Sequence, residues 1–186
     1  MKKNMRIKVG VMGSAAPESS RLETGSTRVE KAERLGSAIA KKDVILFTGA
    51  TTGIVYVVGK TAHEAGGFHV GISPASNEVE HVETYKLPID ACDTIVYTGF
   101  GLKGRNVVLV RSCDIVLFVA GAMGSLNEFT IAHDERKIIG CLTGTGGVAD
   151  ESESLIQKFG KRSTARIFHN EDPEKLIEEC LNSYGF

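Results

Sequence analysis

A carboxylate follows a small-residue turn at the end of the apolar stretch Val116–Phe129, VLFVAGAMGSLNEF. The apolar run breaks at Gly121, passes through Gly124 and Ser125, and reaches Glu128. Backbone amides at a helix start bind anions, and the helix dipole favours an ionised carboxylate beside them. Such a carboxylate can accept ribose hydroxyls or stabilise positive charge on a sugar. Ser125 and Glu128 also match a capping box, so a purely local role for Glu128 stays open.

An arginine precedes this stretch at the start of a predicted helix. Arg105 opens the helix Arg105–Ser112, directly after the glycine-bearing turn TGFGLKG. Its guanidinium suits a phosphate or a carboxylate. A cation at a helix start is mildly unfavourable, which favours an arginine with an anionic partner over a solvated one. We therefore expect Arg105 either to contact a phosphate or to hold Glu128.

Small residues also follow the first two predicted strands. The turn Thr48–Gly53, TGATTG, places Gly49 where positive φ is allowed and Gly53 where a helix can begin close to its strand. The amides there favour a phosphate or carboxylate, although a tight connection with nothing bound explains the same residues. The turn is neither GxGxxG nor a P-loop, because no GK[ST] follows. Ser14 lies in a similar turn, GSAAPESS, after the first strand.

Short apolar runs alternate with helical patterns, and these elements must position the turns. The predicted strands are Ile7–Met12, Val44–Phe47, Phe68–Ser73, Thr94–Tyr97, Ile115–Val119, Ile138–Leu142 and the segment ARIFH. The predicted helices are Val29–Lys41, Gly53–Ala65, Arg105–Ser112, Leu126–Asp134, Ser154–Phe159 and Pro173–Tyr184, and we expect Pro74–Pro88 to be an irregular loop. Continuous runs of Val, Ile, Leu and Phe are typical of parallel strands covered on both faces. Ligands of such sheets bind beyond the carboxyl ends of the strands, so we expect the turns to share one rim.

The overall composition restricts the class of protein. The chain has 186 residues, of which 42% are hydrophobic, and a formal net charge of -1. This profile is that of a soluble globular protein and excludes nucleic-acid capture by bulk charge. The four cysteines form no CxxC pair, so we expect reduced thiols, no metal site and a cytoplasmic protein. No apolar stretch reaches the ~20 residues of a membrane span, so we expect no membrane partner.

The segment GRNVVLVRSCDIVLFVAGAMGSLNEF resembles the core of the LOG-like, Rossmann-type nucleotide-binding superfamily. That superfamily includes cytokinin-activating phosphoribohydrolases and molybdenum cofactor carrier proteins. Its hallmark is an arginine that opens a helix, an apolar strand and then PGGxGTxxE, which Arg105 and Ala120–Glu128 match here. Thr48–Gly53 corresponds to the GGGxxG element, and the resemblance extends from the first strand to about Asp150. It implies a single Rossmann-like three-layer α/β domain over residues 1–186, with a mostly parallel sheet of about six or seven strands and helices on both faces.

The resemblance also implies a site for a phosphate-containing ligand. The residues expected to contact it are Ser14, Gly49, Thr52, Gly53, Arg105, Gly121, Ala122, Met123, Gly124, Ser125 and Glu128. In the hydrolases, the residues that match Arg105 and Glu128 are catalytic. Two features favour the cofactor-carrier branch: Arg105 is followed by Asn106 where the hydrolases carry lysine, and LTGTGGVAD looks like a carrier-type glycine turn.

The hallmark departs from the superfamily pattern at Ala120, Ala122 and Ser125. At Ala122, an added Cβ narrows the space for a phosphate and restricts positive φ. Three functions therefore stay open. The first is a binding protein for a nucleotide-like ligand, either a nucleoside monophosphate or a molybdopterin-type cofactor. The alternative is a phosphoribohydrolase that releases free base and ribose 5-phosphate from a nucleoside monophosphate, and the third is a homo-oligomeric scaffold, since the superfamily commonly forms dimers or larger assemblies such as tetramers.

Overall fold

Strands and helices alternate along the chain in the order that the apolar runs predict. The computed structural model describes residues 5–15, 25–160 and 163–185. The strands are β1 (Ile7–Gly13), β2 (Val44–Thr48), β3 (Phe68–Ser73), β4 (Thr94–Tyr97), β5 (Ile115–Val119), β6 (Ile138–Leu142) and β7 (Arg166–Asn170). The helices are α1 (Gly25–Ala40), α2 (Ile54–Glu64), α3 (Gly101–Ser112), α4 (Met123–Asp134), α5 (Gly147–Phe159) and α6 (Pro173–Tyr184).

The strands form one parallel seven-stranded sheet in the order β4-β3-β2-β1-β5-β6-β7. The chain moves outward from β1 to β4 and then returns to the opposite side of β1 with β5. Val9 is in register with Ile115, and Gly13 with Val119. The connections that leave β1 and β5 diverge, and such a reversal of strand order opens a crevice at the carboxyl ends of the two strands.

Two apolar cores cover the two faces of the sheet, which explains the continuous hydrophobic strands. One core joins the sheet to α1, α2 and α6, and the other joins it to α3, α4 and α5. In β5, Ile115, Leu117 and Val119 belong to the first core, while Val116 and Phe118 belong to the second. All of β5 is buried, because neither face of a central parallel strand meets water. The α/β prediction, with helices on both faces, is confirmed.

Several helices begin earlier than the sequence patterns predict. The observed starts are Gly101 for α3, Met123 for α4 and Gly147 for α5, and α1 is already helical at Gly25, where the description of the chain resumes. Glycine has low helix propensity, so the patterns place these starts too late. Contacts with other segments compensate: the Gly101 amide donates to the Pro74 carbonyl oxygen. Arg105 therefore lies in the second turn of α3, not at its start.

The predicted loop Pro74–Pro88 contains a π-helical turn, Glu80–Thr84. Buried His81 anchors it, since its Nδ1 accepts a hydrogen bond from Ser73 Oγ at 2.7 Å and its Nε2 donates to the Pro88 carbonyl oxygen at 3.1 Å. The sequence gives no periodic signal for such a turn, because the contacts of His81 with Ser73 and Pro88 hold it, not a repeating apolar face. Within the described residues, no helix has the length and apolar character needed to cross a bilayer.

Candidate functional site

A cleft of about 300 Å³ opens at the carboxyl ends of β1 and β5. The predicted site residues that line it are Ser14, Gly49, Arg105, Ala122, Gly124, Ser125 and Glu128. Four other predicted residues, Thr52, Gly53, Gly121 and Met123, lie outside its lining. The lining also includes Lys103 and Asn106, which the sequence patterns do not single out as ligand contacts. The strand reversal thus brings all four small-residue turns, GSAAPESS, TGATTG, TGFGLKG and AGAMGS, to one cavity.

Arg105 and Glu128 meet at this cleft. Nη1 of Arg105 lies 3.4 Å from Oε1 of Glu128, and the two residues are only 5% and 6% exposed. Gly49 makes the approach possible, because a Cβ added there would lie 2.7 Å from Cζ of Arg105. The sequence predicts positive φ at Gly49, but Gly49 instead supplies space for Arg105. Its neighbour Ala50 has the positive φ, 49°.

Burial controls the protonation of this pair. Desolvation raises the pKa of Glu128 to about 7, against the attraction of Arg105 and Lys103, which lowers it. Desolvation also lowers the pKa of Arg105, opposed by Glu128, but an arginine stays charged near neutral pH. The sequence predicts that the helix dipole favours the ionised form of Glu128, whereas burial, the largest influence on its pKa, favours the neutral form.

The capping-box interpretation of Glu128 is also wrong. The N-cap of α4 is Ala122, and no side chain caps this helix. Ser125 lies inside the first turn, 2% exposed, so its hydroxyl is not at the position that a cap requires. Glu128 points into the protein towards Arg105 and lines the cleft.

The turn between β5 and α4 is fixed from behind by the start of α5. Ala120 and Gly121 have φ of 55° and 109°. Their carbonyl oxygens accept hydrogen bonds from the amides of Ala149 and Val148, each at 3.0 Å. Gly121 is therefore needed for the turn and does not line the cleft. Ala122 has φ of -120°, so the expectation that its Cβ restricts positive φ does not apply.

The remaining predicted residues support the rim from outside. Thr52 Oγ1 donates to the Ala15 carbonyl oxygen at 2.7 Å, and the Ile54 amide donates to the Ser14 carbonyl oxygen at 3.0 Å. Gly53 has φ of 77° as the N-cap of α2. These contacts join the segment after β1 to the start of α2. Met123 is 75% exposed and does not reach the cleft.

The glycine turn after β6 is filled by the chain's own carboxylate. The amides of Gly144 and Gly146 each donate to Asp150, at 2.8 Å to Oδ1 and Oδ2 respectively. Such a pair of amides is an anion-binding concavity, and here an internal carboxylate takes that position. A glycine turn is therefore present after β6, and the anion that it holds is Asp150.

A buried histidine supports the β2–α2 turn. His69 Nε2 accepts from Thr48 Oγ1 at 2.8 Å, and the Ala50 amide donates to the same hydroxyl at 3.2 Å. Burial lowers the pKa of His69 to about 4, so the ring is neutral near pH 7. His69 lies beneath the rim and not in the cleft lining. The described residues hold no cluster of three or more His, Cys, Asp or Glu side chains suited to a metal ion.

The fold and the cleft together define a Rossmann-like α/β protein with a candidate site at the topological switch point. Residues 6–177 match the SLOG cluster4 family, and the chain belongs to that family. This result confirms the resemblance to the LOG-like and molybdenum cofactor carrier superfamily.

Known proteins resemble the chain over nearly its whole length. An uncharacterized protein of Archaeoglobus fulgidus is 29% identical over 177 residues, which cover 95% of this chain and 96% of the relative. The X-ray structure of TM1055 is 26% identical with a TM-score of 0.80, covering 95% of this chain and 99% of that one. The molybdenum cofactor binding protein from Rippkaea orientalis is 26% identical with a TM-score of 0.76, covering 98% and 99% of the two chains.

Proposed function

We propose that this protein binds a phosphate-containing, nucleotide-like cofactor in the cleft and serves as a binding or carrier protein. The observation that carries the proposal is the meeting of buried Arg105 and Glu128 at an open cleft on the switch point of the sheet. The likeness to the molybdenum cofactor binding protein of Rippkaea orientalis, over 98% of this chain, supports a molybdopterin-type ligand. A nucleoside monophosphate has the same phosphate chemistry.

The charge of the cleft favours an anion. Among the described residues that line it, Lys103 and Arg105 are cations and Glu128 is the acid. With its pKa raised to about 7, Glu128 is only partly ionised at neutral pH, so the two cations outweigh it. The buried Nε of Arg105 has no hydrogen-bond partner among the described residues. A ligand phosphate supplies hydrogen-bond acceptors and negative charge for the Arg105 guanidinium.

The start of α4 adds to this attraction. Gly124 and Ser125 lie in its first turn and line the cleft, where helix amides carry partial positive charge. The Lys103 ammonium lies 3.9 Å from the position that a Cβ on Gly124 would take. A cation beside a helix N-terminus is repelled by the dipole, and an anion bound between them relieves this repulsion. We assign Lys103 and the α4 start to the phosphate; Ser14 and Gly49 also line the cleft.

Binding is tested with AMP, inorganic phosphate, adenosine and molybdopterin as probes. At 100 times its Kd, a ligand stabilises the folded protein by about 2.7 kcal/mol, which raises Tm by roughly 5–10 °C for a chain of this size. We expect this rise with a phosphate-bearing probe, little with adenosine, and a loss of the rise in Arg105→Met. Arg111→Met is the matched control, because Arg111 lies on the same helix but pairs with Glu135 at the surface. The proposal fails if none of the four probes shifts Tm.

A second candidate function is hydrolysis of the N-glycosidic bond of a nucleoside monophosphate. The observation that favours it is the position of Glu128 in the cleft lining beside Arg105, where burial raises its pKa to about 7 and lets it accept or release a proton near neutral pH. Water adds to the anomeric carbon and the base leaves with a proton, so AMP and water give adenine and ribose 5-phosphate. Glu128 would stabilise the positively charged sugar or orient the water, and Arg105 would position Glu128 and the phosphate.

Free adenine distinguishes the two functions. Adenine released from AMP by the wild-type protein and not by Glu128→Ala supports the hydrolase. An AMP-dependent rise in Tm without adenine release supports the binding protein.

The single domain over residues 1–186 and the homo-oligomeric state stay predictions. Limited proteolysis will test the single domain, and light scattering after gel filtration will test the oligomeric state.

A further inference from the structure

The carboxyl group of Glu128 is held asymmetrically. Among the described residues, both of its hydrogen-bond donors face Oε1: Nη1 of Arg105 at 3.4 Å and one end of the Asn106 side-chain amide at 3.0 Å. No described residue donates to Oε2. Glu128 lines the cleft, so Oε2 is the oxygen that is left for a ligand.

The orientation of the Asn106 amide follows from its neighbours. The end that lies 3.0 Å from Oε1 of Glu128 also lies 2.9 Å from the Leu102 carbonyl oxygen. Both neighbours are acceptors, so this end is the NH2 group. The other end, the Asn106 carbonyl oxygen, lies 2.9 Å from the atom placed as Oδ1 of Asn127, so the Asn127 amide must be turned as well, with its NH2 group donating to Asn106. Asn106 is 4% exposed, so water has little access to replace these contacts.

We propose that Asn106 is a positioning residue for Glu128: its NH2 group fixes Oε1 and thereby presents Oε2 to the ligand in the cleft. The Arg105 contact is too long to fix the carboxyl group by itself, since charge-assisted N–H···O bonds are typically about 2.7–2.9 Å. Asn106 supplies the shorter bond without adding charge. The presentation of Oε2 rests on the proposed function, whereas the bond to Oε1 does not.

A neutral donor also keeps Glu128 able to change its protonation state. The charged side chains that act on Glu128 are Arg105 and Lys103, both on α3, and each favours the ionised form. A hydrogen bond from Asn106 favours the ionised form as well, but more weakly than a third cation would. Removal of the amide should therefore raise the pKa of Glu128, and a lysine in its place should lower it.

The first experiment follows the titration of Glu128 without ligand, by infrared difference spectra of protein with isotope-labelled glutamate, with Glu128→Gln identifying the band. We expect a midpoint above the wild-type value by about one pH unit in Asn106→Ala, which loses a bond to a charged group. Asn106→Asp places a second carboxyl beside the first and also raises the midpoint, while Asn106→Lys lowers it. Asn182→Ala, at an exposed position of α6, is the control. Equal midpoints in all of these variants overturn the proposal.

A measurement on the wild-type chain avoids dependence on variants that fold poorly. The NMR resonances of the Asn106 NH2 group should move with the same midpoint as Glu128, and this transition should vanish in Glu128→Gln. Resonances that stay unchanged through the Glu128 titration refute the contact.

The second experiment tests the presentation of Oε2 with AMP. We expect Asn106→Ala to weaken AMP binding about tenfold and Asn182→Ala to leave it unchanged. Unchanged affinity in Asn106→Ala, with a shifted titration, refutes the presentation of Oε2. If the wild-type protein does not bind AMP or any other probe, the proposed function fails, and the ligand-free titration still decides whether Asn106 positions Glu128.

Discussion

Replacement of Gly49 by alanine is the most direct test of how the site is built. The new Cβ would lie 2.7 Å from both Cζ and Nη2 of Arg105, closer than real Cβ atoms approach a neighbour. Arg105 is 5% exposed, so its guanidinium has little room to retreat without moving away from Glu128. Overpacking of a buried site costs about 1–3 kcal/mol, which corresponds to a loss of roughly 2–12 °C in Tm for a chain of this length.

The same change should affect Glu128. Because Arg105 holds the pKa of Glu128 down, displacement of the guanidinium should raise that pKa further above 7 and weaken binding of AMP. Urea unfolding gives the stability, infrared titration gives the pKa, and calorimetry gives the affinity. Gly185→Ala is the control, since nothing lies within 4 Å of a Cβ at that position. The account of Gly49 is refuted if Gly49→Ala matches Gly185→Ala in stability and binds AMP like the wild-type protein.

Three further predictions concern the support of the site. Folding raises the pKa of Glu128 from 4.5 to about 7, so the stability that Glu128 contributes is full below pH 4.5 and is lost as the pH rises to about 7. Folding lowers the pKa of His69 from 6.5 to about 4, so the stability that His69 contributes is full above pH 6.5 and is lost as the pH falls towards 4. Urea unfolding across this range should show that the free energy of unfolding of Glu128→Gln rises by about 3 kcal/mol relative to wild type as the pH rises, and that of His69→Gln by a similar amount as the pH falls. Curves of unfolding free energy against pH that run parallel to the wild-type curve would contradict both assignments. Asp150→Ala removes two exposed hydrogen bonds to backbone amides that water can partly replace, so it should lower the free energy of unfolding by about 1–2 kcal/mol, and an unchanged urea midpoint would show that the glycine turn does not need its carboxylate. Gly121→Ala should cost about 2–4 kcal/mol because φ is 109° and its Cβ would lie 2.6 Å from the Ser125 Cβ, whereas Gly66→Ala, with φ of 85° and open space, should show only the smaller cost of the backbone strain; equal losses in the two variants would exclude a clash.

The sheet could be predicted because burial on both faces leaves a direct signal. β5 reads as an unbroken apolar run, Ile115–Val119, and every residue of it is buried. The rim also follows from the sequence, since the carboxyl ends of parallel strands share one edge. The sequence therefore predicts the edge at which Glu128 lies, and of the two partners that it offers Arg105, a phosphate or Glu128, the structure shows Glu128.

Contacts between distant segments could not be predicted. Gly49 follows β2 and Arg105 lies in α3, so their close approach depends on how α3 packs on the sheet. In the same way, the hydrogen bonds from Arg105 and Asn106 to Oε1 of Glu128 depend on the angle between α3 and α4. The Asp150 contact had a local signal, a carboxylate shortly after the glycines of GTGGVAD, which a search for internal occupants of amide-lined turns would find.

The bonds from α5 to the turn between β5 and α4 make the two walls of the cleft mechanically unequal. The start of α4 is fastened through Ala120 and Gly121 to the helix that follows β6, so it cannot shift unless that half of the sheet shifts with it. The start of α3 is bonded instead to the segment after β3, because the Gly101 amide donates a hydrogen bond to the Pro74 carbonyl oxygen. We therefore expect an adjustment to a ligand of a different size to come from the α3 side, because two backbone hydrogen bonds from α5 hold the turn before α4.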